Sequence, residues 1–148
     1  MPTLWRLSRA RYGPGLDGIG ATFASGRWHT RGARVVYFGA SAAIVVLERL
    51  AHVDPDLLPD DLILAQFDLP DSVEQTRVVD LPARWTQNEA GARRIGDQWR
   101  QDGVSCLLIV PSAILPEESN FLLNPQHPAA QSLRLIRQRP FAFDPRLI

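Results

Sequence analysis

Three side chains of kinds that do chemistry stand out by position, Arg27 in "SGRWHTRG", Tyr37 in "VVYF" and Glu48 in "AAIVVLERL", and Ser112 directly follows "CLLIVP". A carboxylate in an otherwise apolar helix needs a partner or a task, because burying an unpaired charge is costly. Its place towards the helix C-terminus adds to the cost, since that end favours a base such as Arg49. Solvent or an ion pair with an arginine is the plain alternative. Arg27 offers a planar fork suited to a phosphate, or a cation–π partner for Trp28. Tyr37 offers a ring for stacking or a core side chain. Ser112 offers a hydroxyl at the end of a strand, facing a cleft or serving as a turn residue or cap.

The elements that must position these groups are legible. "TLWRLSR" sets Leu4 and Arg6 against Trp5 and Leu7, which predicts a half-buried strand. "ARVVYFG" predicts a second, with Ser41 as the cap of a helix running to about Ala51, apolar over most of its circumference and hence expected to be buried. "LILAQFDLP" and "TRVVDLP" read as further strands, and "SCLLIVPSA", "SNFLLNP" and "LRLIRQRPFAFD" as three more. From about Gln87 to Gln101, Ala92, Ile95 and Trp99 recur at helical spacing, with Gly103 as a stop signal. Strands outnumber helices without regular alternation, which predicts an α+β fold. "YGPGLDGIGA" reads as a loop and "TFASGRWHT" as extended. The formal G-x-G-x-x-G at Gly13, Gly15 and Gly18 contains Pro14 and is not followed by a helix, so a dinucleotide fingerprint of the Rossmann type is rejected.

A chain of 148 residues fits one domain. Sixteen acids balance sixteen bases, all arginine, so no global field draws the protein to nucleic acid or to an acidic membrane. The first 49 residues hold seven arginines against two acids, which suits an anionic ligand, whereas the segment from Asp54 to Glu74 holds seven acids and no arginine. Cys106 has no cysteine to pair with, and His29, His52 and His127 lack metal-ligand spacing. The N-terminus has no apolar h-region and no run is long enough to span a bilayer, so a cytoplasmic location is expected.

The ordered motifs "GRW", "VVY", "LE", "VPS" and "LLNP", with the terminal "PFAFDPRL", resemble the RES-domain family, toxins of bacterial toxin–antitoxin pairs named for an Arg, a Glu and a Ser. The resemblance covers nearly the whole chain, residues 1–148 forming a single RES domain. It places the family's Arg on Arg27, its Tyr on Tyr37, its Glu on Glu48 and its Ser on Ser112. Arg6 and Asn120 join Arg27 and Tyr37 as candidate binding residues, although an outward-facing strand position for Arg6 and turn chemistry for Asn120 are the leading readings of these two. The family often has Asn where this chain has His29.

The resemblance implies an ADP-ribosyltransferase-like split antiparallel sheet with a few helices, NAD as substrate and no metal. It implies a toxin that degrades NAD by cleaving the nicotinamide–ribose bond, as a glycohydrolase or phosphorylase, restrained by an Xre-type antitoxin from the adjacent gene. ADP-ribosyl transfer to a protein is the enzymatic alternative, and an inactive interaction module the alternative of another class. Neither direct nucleic-acid binding nor a membrane role is implied.

Overall fold

The computed structural model describes residues 2–148. Seven strands form one sheet: β1 (Thr3–Arg9), β2 (Val36–Gly39), β3 (Leu62–Asp68), β4 (Gln75–Arg77), β5 (Leu107–Pro111), β6 (Ser119–Leu123) and β7 (Arg134–Phe141), in the order β4-β5-β6-β2-β1-β3-β7. Two helices, α1 (Ala42–His52) and α2 (Glu89–Asp102), complete the α+β architecture. Every neighbouring pair is antiparallel except β4 and β5, which run parallel.

The sheet is nearly divided in its middle. β1 and β3 pair along seven residues, from Thr3↔Asp68 to Arg9↔Leu62, and β2 pairs with β6 along four. Between β1 and β2 a single pair, Trp5↔Gly39, holds the two halves together. Beyond that pair the strands separate, leaving backbone groups that other donors must satisfy.

Alternation along the strands sorts the side chains onto two faces. Leu4, Phe38, Phe67, Ile109 and Phe121 belong to one core cluster, on the face covered by loops and short turns. The other face carries both helices: Ala92 and Trp99 of α2 pack with Leu108, Val110 and Leu122, while Ala42 and Val45 of α1 pack with Leu7, Leu62 and Leu64. Gly39 permits α1 to lie this close, since a Cβ there would meet Ile44 and Val45 at 2.6 Å.

Local signals set the helix ends. The Ser41 side chain accepts from the Ile44 N–H, and Asn88 caps α2 by accepting from the Gly91 N–H. Gly103 closes α2 in the left-handed region, its N–H bonded to the Trp99 carbonyl.

Three expectations need correction. α1 is not buried all round: only Ile44 is fully buried, and Ala43 and Ala51 are exposed, because the helix lies on the outside of the sheet. The "TRVVDLP" segment contributes only Thr76 and Arg77 to the three-residue β4, and the ladder ends with the Val78 N–H on the Ile109 carbonyl, before Asp80 and Pro82. The "TFASGRWHT" segment is not extended. It begins in a 3-10 turn, Ile19–Phe23, and bends around the ring of His29, which draws the carbonyls of Ala21 and Ala24 together.

Candidate active site

Glu48 occupies the penultimate turn of α1, above the face shared by β2 and β6. Its Oε1 accepts from the Ser112 hydroxyl at 2.7 Å and from the Asn120 side-chain amide at 2.8 Å. Both donors are neutral. The other oxygen, Oε2, lies 3.8 Å from Nε2 of the exposed His52, one turn on. The carboxylate is thus partly exposed and pairs with no arginine among the described residues; one oxygen is fixed by two neutral donors and the other has His52 as its one weak neighbour.

The sheet delivers these donors. Asn120 lies opposite Gly39 in the β2–β6 register, beneath the closely packed α1, and is a strand residue rather than part of a turn. Ser112 follows β5 and is fully buried. Its Oγ also accepts from the N–H groups of Ile114 and Leu115, so the same hydroxyl shapes a turn and donates to Glu48. The turn reading of Ser112 is thus realised, and its hydroxyl is turned to Glu48 inside the protein.

Tyr37 shares its face with Gly39, two residues or about 7 Å along the strand. Its ring packs beside Trp28, Val35 and Leu122, and its hydroxyl lies 2.7 Å from Nδ1 of His29 and 3.4 Å from the Trp28 N–H. Burial pushes the phenol well above its ordinary value, so Tyr37 is neutral. The hydroxyl is consumed inside the protein, between His29 and the Trp28 N–H.

Arg27 leads into the strap that wraps Tyr37. Its guanidinium donates to the Thr86 carbonyl at 3.2 Å and stands 3.8 Å from Glu89. A cation–π pair with Trp28 does not describe it, because the Trp28 ring is buried and packs against Trp85, with ring centroids 5.8 Å apart. The strap is pinned from α2: the N–H and hydroxyl of Thr30 donate to Asp97, and Arg93 Nε donates to the Gly26 carbonyl.

Arg6 is not an outward strand residue. Its Nη1 donates to the Tyr37 carbonyl and its Nε to the Pro14 carbonyl, each at 2.9 Å, so the guanidinium occupies the opening between β1 and β2. Burial and the nearby Arg49 lower its pKa to about 10. Gly15, in the left-handed region, lets the loop close over it, since a Cβ there would meet Nη2 at 2.9 Å. Two other N-terminal arginines are spent on structure: Arg9 and Arg11 meet Asp61 of the acidic segment at 2.6 and 3.8 Å.

The structure thus joins Glu48, Ser112 and Asn120 by direct hydrogen bonds, and links Arg6, Tyr37 and the Arg27 strap alongside them. His29, Gly26 and Asp97 also shape the site and had no assigned part in the sequence reading. Their signal is tertiary: nothing near His29 in the chain reveals that its ring is buried against a tyrosine.

Comparison with known proteins bears on this arrangement. The RES domain family model matches residues 3–144. The chain is 36% identical over 155 residues to the Prs ADP-ribosylating toxin of Sphingobium sp. (strain YBL2), covering 99% of this chain and 96% of that protein. It is 39% identical over 146 residues to Toxin Res of Pseudomonas putida, covering 97% and 98%. In fold it is similar to a chain in the crystal structure of the M. tuberculosis MbcT–MbcA toxin–antitoxin complex, with a TM-score of 0.75 at 18% identity, covering 94% of this chain and 83% of that one. Since the family model spans all but the ends of the chain and the relatives match over nearly their full lengths, the protein belongs to the RES-domain toxin family.

Proposed function

We propose that the protein is the toxin of a toxin–antitoxin pair, an enzyme that takes NAD as substrate and breaks the bond between nicotinamide and ribose. The observation that carries this reading is the Glu48 carboxylate, held by the Ser112 hydroxyl and the Asn120 amide on one oxygen with no arginine neutralising it. Departure of nicotinamide leaves positive charge on the ribose, an oxocarbenium-like transition state of the kind met in glycoside hydrolysis. A fixed carboxylate stabilises such charge without reorganising as it develops. Glu48 therefore stabilises the cationic sugar and holds its hydroxyls through Oε2. The Tyr37 ring supplies a stacking face for nicotinamide, and Arg27 and Arg6 supply the cationic environment for the pyrophosphate.

Water, phosphate or a protein side chain then takes the ADP-ribose. Transfer to a protein is the second reading, and the name of the Sphingobium relative, an ADP-ribosylating toxin, favours it. Incubating the purified protein with NAD and sorting the products decides between them. Nicotinamide with free ADP-ribose, with ADP-ribose phosphate or with a labelled protein identifies a hydrolase, a phosphorylase or a transferase.

An enzyme that empties the NAD pool of its own cell needs a restraint. We infer an Xre-type antitoxin from the adjacent gene that covers the site, a reading supported by the toxin–antitoxin complex from which the structural neighbour comes.

A further inference from the structure

The interior around Tyr37 contains a histidine that the reaction does not use. His29 is 4% exposed, and its ring nitrogens have different partners. Nε2 lies 2.9 Å from both the Ala21 and the Ala24 carbonyl oxygens. Carbonyl oxygens only accept, so Nε2 carries the proton. Nδ1 is then a bare lone pair, and the Tyr37 hydroxyl, 2.7 Å away, must donate to it. The Trp28 N–H approaches the same hydroxyl oxygen at 3.4 Å, completing a closed set of bonds that fixes the phenol direction.

The chain is wound tightly around this pair. The Gly26 N–H bonds to the His29 carbonyl at 3.1 Å, so the loop closes over Arg27 and Trp28. A Cβ on Gly26 would lie 2.8 Å from Cε1 and Nδ1 of His29 and from the Tyr37 hydroxyl oxygen, leaving no space for any side chain but hydrogen. One imidazole thus ties three parts together: the 3-10 turn Ile19–Phe23 with Ala24 after it, the strap bearing Arg27, and the ring of Tyr37.

We propose that His29 is a positioning residue for the substrate site, holding the Tyr37 ring and the Arg27 strap in the register that receives the nicotinamide end of NAD. This rests on the NAD reading for its kinetic consequences, but the bond pattern can be tested without it. The two nitrogens can also be separated by substitution. Asparagine carries its side-chain oxygen where Nδ1 stands and so keeps an acceptor for Tyr37, while losing the bonds to Ala21 and Ala24. Glutamine reaches the place of Nε2 and keeps a donor for those carbonyls, while leaving the Tyr37 hydroxyl without its acceptor.

The test compares the wild type with His29→Gln and His29→Asn in steady-state NAD turnover and thermal melting. His29→Gln is expected to raise KM about tenfold with kcat little changed, the pattern of lost ground-state and transition-state binding together. His29→Asn is expected to restore KM to within about threefold of wild type although it melts lower, because acceptance from Tyr37 sets the ring and the carbonyl bonds contribute stability. Unchanged KM in both variants, with only the melting temperature lowered, would overturn the proposal.

A long-range 1H–15N spectrum of the imidazoles, assigned by the signal missing in His29→Asn, reads the same bonds without NAD. The expected result is the Nε2–H tautomer with an Nδ1 resonance that shifts in Tyr37→Phe. An Nδ1–H tautomer, or no shift, would overturn the proposal whether or not the protein cleaves NAD. A wild type inert towards NAD but with the expected spectrum would instead remove the NAD reading and leave the His29–Tyr37 linkage standing.

Discussion

The Ser112 hydroxyl donates to the Glu48 carboxylate at 2.7 Å across 64 residues of sequence. Neither residue could be placed against the other from its own neighbourhood: one lies on a helix, the other past the end of β5. The register Gly39↔Asn120 brings β6 beneath α1, and Val110↔Asn120 brings the end of β5 beside it. The same oxygen takes the Asn120 amide, so removing either donor leaves Glu48 partly held. Ser112→Ala and Asn120→Ala are each expected to lower NAD turnover by about tenfold, and the double variant by more than the product of the two, because each donor still holds the oxygen when the other is lost. Initial rates of the three variants check this; full additivity would show that the donors act separately.

Tyr37→Phe and Tyr37→Ala separate the ring from the hydroxyl. The phenylalanine variant keeps the stacking surface but leaves the buried His29 Nδ1 without its donor, and about 1–3 kcal/mol of stability is expected to go with it. NAD affinity is expected to weaken by about tenfold in that variant, as in His29→Gln, because both lose the bond that sets the ring, and to be lost in Tyr37→Ala. Equal NAD binding by both, with differences confined to urea midpoints, would make Tyr37 a core residue only.

The buried phenol also has a pH signature. Because burial raises its folded pKa, Tyr37 remains protonated in the native protein where an unfolded tyrosine has ionised. Its contribution to stability is full below the ordinary phenol value of about 10 and is lost as pH climbs from there towards the folded value. Tyr12→Phe leaves Tyr37 as the one tyrosine in the chain. Phenolate absorbance in that variant is expected to be absent at pH about 11, roughly one unit above the ordinary value, and to emerge only with unfolding. Absorbance growing in while the native circular dichroism persists would contradict the burial argument.

Gly96 lies within α2 although glycine weakens a helix interior. A Cβ there would overlap the Trp28 carbonyl oxygen, so the helix backbone rests directly on the strap that carries Arg27 and His29. Gly96→Ala must force helix and strap apart, and a loss of about 3 kcal/mol is expected, within the range seen for overpacked cores. Denaturant midpoints check the stability and NAD binding the displacement. An alanine variant as stable as wild type would show that the strap gives way freely.

Much of the scaffold was readable because its signals are local. The alternation in Thr3–Arg9, the cap at Ser41 and the stop at Gly103 each act within a few residues. The family motifs led to the acid on α1 and to Ser112, and Asn120 was singled out only as a candidate for binding. What could not be read is set by contacts distant in sequence. Asn120 meets Glu48 across 72 residues, the single pair Trp5↔Gly39 is a matter of strands diverging, and the bend of the Ala21–Ala24 backbone follows from a histidine ring that closes on it. The apolar circumference of α1 overstated its burial because periodicity reports which residues are apolar and not which elements arrive to cover them.

Growth tests reach the restraint inferred for the living cell. Expression of the chain alone is expected to stop growth and lower cellular NAD, and co-expression of the adjacent gene's product to restore both. Normal growth and normal NAD under strong expression of folded, unpartnered protein would count against a toxin that consumes NAD.

The most direct measurement follows nicotinamide released from NAD by purified wild-type protein and by Glu48→Gln. Glutamine keeps the size of the side chain and an oxygen to accept from Ser112 and Asn120, so the fold is expected to persist while the charge is removed. The expected result is release by the wild type and a rate lower by about two orders of magnitude in Glu48→Gln, corresponding to about 3 kcal/mol of transition-state stabilisation. Release at the wild-type rate by a folded Glu48→Gln protein, or none from the wild type itself, would contradict the role given to this carboxylate.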